Sequence, residues 1–185
     1  MSLRSAAFMA VILLLSVLLT ACGAASPAKP AAAPAPTFAK LIVTNDLVRG
    51  AENIDQSKPA EVARICSELS KFMHNERIVW RIKVMDPQTG AFMDDKNVGE
   101  VSVKLSDGQV VQAKYGGHGG TKDKPADFFW TAGWTVPETY PSGSLTYTVN
   151  AAGKDGRGAM MINDFKVPAA FLTILDGKVP VIEKK

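Results

Sequence analysis

The side chains in this sequence that could bind a transition metal are few and spread along the chain. It contains two histidines, His74 and His118, and two cysteines, Cys22 and Cys66, together with seven methionines. Imidazole, thiolate and thioether suit copper, and the first two also suit zinc. Their spacing matches no metal-binding motif, so a copper or zinc site formed by His118, Cys66 and His74 requires the fold to bring them together. A buried cysteine and gap-filling methionines explain the same residues, and by default we expect no cofactor.

Groups that could catalyse a reaction are equally sparse. A nucleophile needs a nearby base, and the sequence lacks a Gly-x-Ser-x-Gly elbow, a phosphate-binding glycine loop and a His-Glu-x-x-His pair. Asp94, Asp95 and Glu100 are close in sequence, but solvated charges in turns explain them. We therefore expect the chain not to be an enzyme.

The most unusual segment reads KYGGHGGTKDKPADFFWTAGW, from Lys114 to Trp134. Its glycines predict a loop that a partner's backbone can approach closely. The expected interaction residues are those of the glycine-rich run and one aromatic, namely Tyr115, Gly116, Gly117, His118, Gly119, Gly120 and Phe129. Alternation places Phe128, Trp130 and Trp134 in the core and leaves Phe129 pointing outward.

The N-terminus has the form of an export signal. A short positive region ends at Arg4, and the apolar run over 6–19 is shorter than the roughly 20 residues of a spanning helix. The sequence Leu19-Thr20-Ala21-Cys22 then resembles the lipobox of bacterial lipoproteins. The resemblance implies that the signal peptide is 1–21, that Cys22 carries diacylglycerol and that the new amine is often acylated, for example with palmitate. It also implies anchoring in the cell membrane or outer membrane, with the domain in the periplasm or outside the cell.

Residues 22–40 read as a flexible tether, because alanine with spaced proline favours an extended polyproline conformation and cannot build a core. Residues 41–185 then form the domain. Its side chains give a nearly even charge balance, with a net charge of +3 for the whole chain and no dense Lys/Arg run. We therefore expect no nucleic-acid partner.

From Arg77 onward, apolar residues alternate with polar ones, which predicts strands. Ile78, Trp80, Ile82 and Val84 share one face, and similar runs end at Leu105, Val136 and Ala151. Turn residues separate these runs, including Asp107-Gly108 and Asp155-Gly156. The pattern is typical of an antiparallel β-sandwich of about seven to nine strands.

The segments RIVWRIKV, EVSVKLSDG and YPSGSLTYTVNAAGKDGR resemble the immunoglobulin-like class of bacterial envelope domains. The resemblance implies that Trp80 is the buried tryptophan of the sandwich. The disulfide of antibody domains is absent, because lipid on Cys22 leaves Cys66 as the only free thiol.

Residues 41–76 form either an N-terminal extension or the first strands. For 59–73 the sequence leaves two interpretations open. Val62, Ile65, Cys66, Leu69 and Met73 fit one face of a helix, whereas Ile65 to Phe72 could also form a strand. A short strand is expected at Leu41–Val43.

These patterns favour a lipid-anchored envelope protein with a non-catalytic interaction or accessory domain. Its partners would be membrane lipid, through Cys22, and another envelope protein that meets the loop from Gly116 to Lys124. The alternative is a metal-binding envelope lipoprotein. A weaker alternative is a carbohydrate-binding module that uses exposed aromatic side chains.

Overall fold

A computed structural model of the chain describes residues 40–161 and 171–182. Within these ranges there are ten strands and one short helix. They are β1 (Lys40–Arg49), α1 (Pro59–Val62), β2 (Lys71–His74), β3 (Arg77–Met85), β4 (Val98–Leu105), β5 (Val110–Gln112), β6 (Lys114–His118), β7 (Asp127–Thr135), β8 (Gly143–Gly153), β9 (Gly158–Met161) and β10 (Phe171–Lys178). The prediction of a mainly β, sandwich-like fold is confirmed.

The described strands form one continuous mixed sheet that is not closed and that folds over into two layers. The first layer has the order β9-β1-β3-β7-β6, and the second has the order β2-β10-β8-β4-β5. Among the described residues, a single strand pairing, Ala152 with Gly158, joins the two layers. The layers meet at Trp80 on β3 and Tyr147 on β8, whose rings pack edge to face with centroids 5.6 Å apart.

The alternation seen in the sequence forms the core, because side chains at every second position of a strand share a face. Ile78, Trp80, Ile82 and Val84 of β3 are at most 1% exposed. The opposite layer contributes the buried residues of β4 and β8, namely Val101, Val103, Leu105, Leu145, Tyr147, Val149 and Ala151. The predicted hairpin turns at Asp107-Gly108 and Asp155-Gly156 are present, and both glycines have positive φ.

The finer details of the sheet differ from the sequence prediction. The described strands number ten rather than seven to nine, and two of the pairings are parallel, β1 with β9 and β2 with β10. Residues 110–115 also do not form a single strand. The chain crosses between layers at Ala113, because β5 pairs with β4 whereas β6 pairs with β7.

Neither interpretation of 59–73 is correct as a whole. Pro59 begins a helix of only four residues, and Lys71–His74 then forms β2. Between them the chain runs beside the second half of β1, where Cys66 donates its N–H to the Arg49 carbonyl at 2.9 Å and Leu69 donates to Leu47 at 3.0 Å. The strand expected at Leu41–Val43 is present and extends to Arg49.

The turn between β2 and β3 carries an ion pair inside the protein. The Arg49 and Glu76 side chains are 3% and 1% exposed, and Arg49 Nη2 lies 2.9 Å from Glu76 Oε1. The angle of this contact is too poor for a hydrogen bond, and Arg49 Nε and Nη1 also have no partner in the described part of the chain. The other oxygen, Glu76 Oε2, accepts the backbone N–H of Met73 at 2.9 Å.

The predicted signal peptide (1–21), the acylated Cys22 and residues 22–39 of the tether lie outside the described residues. Within 40–161 and 171–182, no helix has the length and apolar character that crossing a membrane requires.

Candidate binding site

The outer face of the first layer carries a row of cations along β3. Arg77, Val79, Arg81 and Lys83 point away from the core, because they alternate with its buried residues. In register, Arg81 lies between Asp46 of β1 and Thr131 of β7, and Val79 lies between Val48 and Gly133. This face is therefore a surface with cations around an apolar centre.

A cavity of about 710 Å³ opens on this face and spans four strands. Its lining has an apolar floor and a polar rim, and it includes Val48, Ile65, Cys66, Arg77, Val79, Arg81, Lys114, His118, Asp127, Phe129, Thr131 and Gly133. A smaller cavity of about 360 Å³ adjoins it and shares Arg81, Asp127 and Phe129. The larger volume falls within the range of about 300–1,000 Å³ that is typical of small-molecule sites.

Two glycines allow Arg77 to lie flat along the floor of the cavity. A Cβ at Gly133 would lie 2.8 Å from Arg77 Cζ, and one at Gly50 would lie 2.9 Å from Arg77 Cδ. Arg77 Nη1 donates to Glu52 at 3.1 Å, and Thr135 Oγ1 donates to the same carboxylate oxygen at 2.7 Å. Arg77 Nη2 and Nε have no hydrogen-bond partner in the described part of the chain.

Arg81 is held in a similar way by Asp46. Its Nε and Nη2 donate to the two carboxylate oxygens at 2.7 and 2.5 Å. Hydrogen bonding to Asp46 is the main cause that raises the pKa of Arg81 above its ordinary value, so the side chain stays charged. Arg81 Nη1 has no partner among residues 40–161 and 171–182.

The β6 side of the cavity has an unbalanced charge. Lys114 lines the cavity and forms no ion pair with any described residue, whereas Lys83 lies 3.4 Å from Asp127. The His118 ring stacks on Phe129 with centroids 4.2 Å apart. This stacking covers Phe129, which is only 8% exposed.

The structure separates the three predicted metal ligands. Cys66 and His118 line the same cavity, but His74 does not. The His74 Nδ1 and Nε2 atoms lie 2.8 Å and 2.7 Å from the carbonyl oxygens of Gly177 and Tyr140. No three His, Cys, Asp or Glu side chains are grouped closely enough for a metal ion in the described ranges.

The two contacts of His74 favour its charged form. Carbonyl oxygens only accept, so both contacts can be hydrogen bonds at the same time only when the ring is an imidazolium. These hydrogen bonds, that of Tyr140 first and that of Gly177 second, raise the pKa of His74 above its ordinary value. His74 therefore has a structural role, since it joins β10 to the turn before β8.

Cys66 is exposed, so it is not the buried cysteine that the sequence also allowed. Its φ of 60° places it in the left-handed region, which a residue with a side chain seldom adopts. Its backbone pairing with Arg49 holds it there. The thiol consequently lies at the wall of the cavity.

The predicted interaction loop is only partly a loop. Tyr115, Gly116, Gly117 and His118 belong to β6, which pairs with β7 from Lys114 with Thr131 to His118 with Asp127. Gly119 and Gly120 lie in the turn that follows, with φ of 65° and 89°. In the described part of the chain, β6 ends its layer and has no strand on its other side.

The aromatic residues of β7 correct one prediction. Trp130 and Trp134 are buried as expected, but Phe128 is 55% exposed and Phe129 is buried. Phe128 has the core parity but lies beyond the point where the opposite layer covers β7. Its ring lies 6.0 Å from that of Tyr115. All three tryptophans are at most 8% exposed, so none of them offers a platform for a sugar.

Only part of the cavity could be predicted from local sequence patterns. Arg77, Arg81 and Lys83 alternate with the apolar residues of β3, which places them on the outer face. The apolar floor depends on how β1 and β7 pair with β3, and local patterns do not determine such pairing.

Comparison with known proteins adds no relative. A scan against family models, a search of curated proteins and a search of solved structures each found no match.

Proposed function

We propose that the chain is an exported, lipid-anchored envelope protein whose β-sandwich is a non-catalytic module that binds another envelope protein. The N-terminal segment supports the first part through its apolar run and the lipobox-like sequence that ends at Cys22. Two or more acyl chains provide stable membrane attachment, whereas a single chain is marginal.

The observation that carries the binding proposal is the open edge of β6. An edge strand presents unpaired N–H and C=O groups, to which an extended segment of another protein can add as a further strand. Gly116 places no side chain beside this edge, and nothing lies within 4 Å of the position its Cβ would take, so a side chain can be added there without a clash. Phe128 is exposed on the neighbouring strand and provides apolar contact area.

The turn after β6 extends the same surface. Thr121 and Lys124 form a bridge, so the β6–β7 hairpin continues past the paired strands. Lys122, Asp123 and Lys124 are exposed there. A partner that adds to β6 would therefore also meet charged side chains, which favour one orientation over others.

Photo-crosslinking in intact cells tests this proposal. A photoreactive residue replaces Lys122 in the full chain, and the matched control places it at Lys104, which is exposed on β4 in the other layer. We expect an adduct with one envelope protein from position 122 and none from position 104. Gly116→Lys, which adds a charge to the edge without a clash, should strongly reduce the adduct.

Three results would contradict binding at β6. They are equal adducts from positions 122 and 104, an adduct that Gly116→Lys leaves unchanged, and the absence of any adduct. An adduct within the same chain would mean that its own residues cover β6, which also refutes the proposal. Circular dichroism of the variants checks that each is folded.

A further inference from the structure

The cavity on the outer face of β1, β3, β7 and β6 has the chemistry of a small-molecule site. We propose that it binds a small organic anion with an apolar body, such as an aromatic sulfonate or carboxylate. This inference does not depend on the proposed protein partner, because it concerns the face of the sheet rather than its edge.

Two arginines of the lining are only partly paired. Arg77 and Arg81 are each held by one carboxylate through part of the guanidinium group, Glu52 and Asp46 respectively. Both arginines line the cavity, and each retains N–H groups without a partner in the described part of the chain. A guanidinium fixed in this way can bind an anionic group with little further loss of side-chain freedom.

The lining of the larger cavity carries more positive than negative charge. The lining cations are Arg49, Arg77, Arg81 and Lys114, whereas Asp127 is the only lining carboxylate in the described ranges. Glu76, Glu52 and Asp46 offset the three arginines. Lys114 has no ion-pair partner among residues 40–161 and 171–182. An anionic group beside Lys114 would balance this charge.

The floor of the cavity is apolar. Val79 lies between the two arginines on β3, and Ile65 also lies in the lining; both side chains are only partly buried. Val48 and Phe129 contribute little further surface, since they are 2% and 8% exposed. An apolar ligand body would therefore be stabilised mainly by removing the exposed parts of Val79 and Ile65 from water.

Cys66 provides a direct readout, because its exposed thiol lies in the lining of the same cavity. The experiment measures the rate at which N-ethylmaleimide modifies Cys66 in the full-length protein, followed by peptide mass spectrometry. The ligand used is naphthalene-2-sulfonate, and the uncharged naphthalene-2-methanol is its matched control. We expect the sulfonate to slow the modification of Cys66 in a saturable manner. The alcohol should bind at least about tenfold more weakly, because it cannot form the charge-assisted hydrogen bond of the sulfonate.

Variants show where the sulfonate binds. Arg77→Gln and Lys114→Gln should each weaken its protection of Cys66 by about tenfold. Lys104→Gln also removes one positive charge but lies on the other layer, so it should leave protection unchanged. Circular dichroism confirms that the variants are folded.

The proposal is overturned if the sulfonate gives no protection or if the alcohol protects as well as the sulfonate. It is also overturned if Lys104→Gln weakens protection as much as Lys114→Gln, since a general charge effect would then suffice. A failed crosslink at Lys122 would leave this test unaffected, so the two proposals can fail separately.

Discussion

Removal of the Glu76 charge should destabilise the protein more than removal of any exposed carboxylate. Glu76 and Arg49 lie almost fully out of water, with side-chain exposures of 1% and 3%. In Glu76→Gln the amide oxygen still accepts the Met73 N–H, so that the backbone contact is kept. Arg49, however, becomes a buried cation whose Nε and Nη1 already lack partners in the described structure.

The size of the effect follows from this burial. Breaking a buried ion pair by removing one partner costs about 3–5 kcal/mol, because the remaining charge is left without compensation. For a domain of this size each kcal/mol lowers the melting temperature by roughly 2–4 °C, so we expect a drop of about 6–20 °C. The matched control is Glu138→Gln, since Glu138 pairs with Lys178 at the surface and such pairs contribute about 0–1 kcal/mol.

A double variant separates charge from packing. Arg49→Met combined with Glu76→Gln removes both charges and keeps an apolar chain of similar length, so it should recover most of the lost stability. Urea unfolding of the four proteins measures the coupling between the two positions. The reasoning is refuted if Glu76→Gln costs no more than Glu138→Gln, or if the two single losses simply add.

Three other predictions concern the titration of His74, the titration of the tyrosines and the hydroxyl group of Tyr147. Because folding raises the pKa of His74, its stabilising contribution is complete below pH 6.5 and is lost as the pH rises through the folded pKa. The urea midpoint of the wild type should therefore decrease from pH 6 to pH 8.5, and that of His74→Gln should change less. Burial, followed by the hydrogen bond to Asp107, raises the pKa of Tyr140 to about 12. Burial also raises the pKa of Tyr115 and Tyr147. Absorbance at 295 nm should therefore show all three tyrosines ionising above pH 10, and a tyrosine with an ordinary pKa would contradict this. The raised tyrosine pKa values stabilise the fold below pH 10 and cease to do so as pH rises through the folded values. Tyr147→Phe leaves Asn45 Nδ2 without its 2.9 Å acceptor and should cost about 1–3 kcal/mol in urea unfolding. Tyr115→Phe should cost less, because the Tyr115 hydroxyl has no hydrogen-bond partner in the described part of the chain.

The strands were predictable where a short stretch of sequence determines which side chains are buried. In β3, β4 and β8 the apolar side chains recur at every second position, and a face that must be buried fixes that pattern in the sequence. The turns at Gly108 and Gly156 were predictable for a similar reason, since both require positive φ.

The remaining features depend on contacts between distant residues. The crossing at Ala113 depends on which strand each half of the segment meets, and the sequence on either side reads as one strand. Phe128 was assigned the wrong burial, because parity gives the face of a strand but not where the opposite layer ends. Parity places Phe129 on the outer face, but it cannot show that the His118 ring covers the side chain there. The turn at Cys66 depends on backbone pairing with β1, which helical periodicity cannot reveal.

Mass spectrometry of the mature protein tests most directly the central proposal of a lipid-anchored envelope protein. Isolated from membranes, the chain should begin at Cys22, with diacylglycerol on the thiol and, where the amine is acylated, one further fatty acid. Cys22→Ser should lose both the lipid and the cleavage before residue 22. A mature chain with an unmodified Cys22, or one processed in the same way after Cys22→Ser, would contradict the lipoprotein proposal.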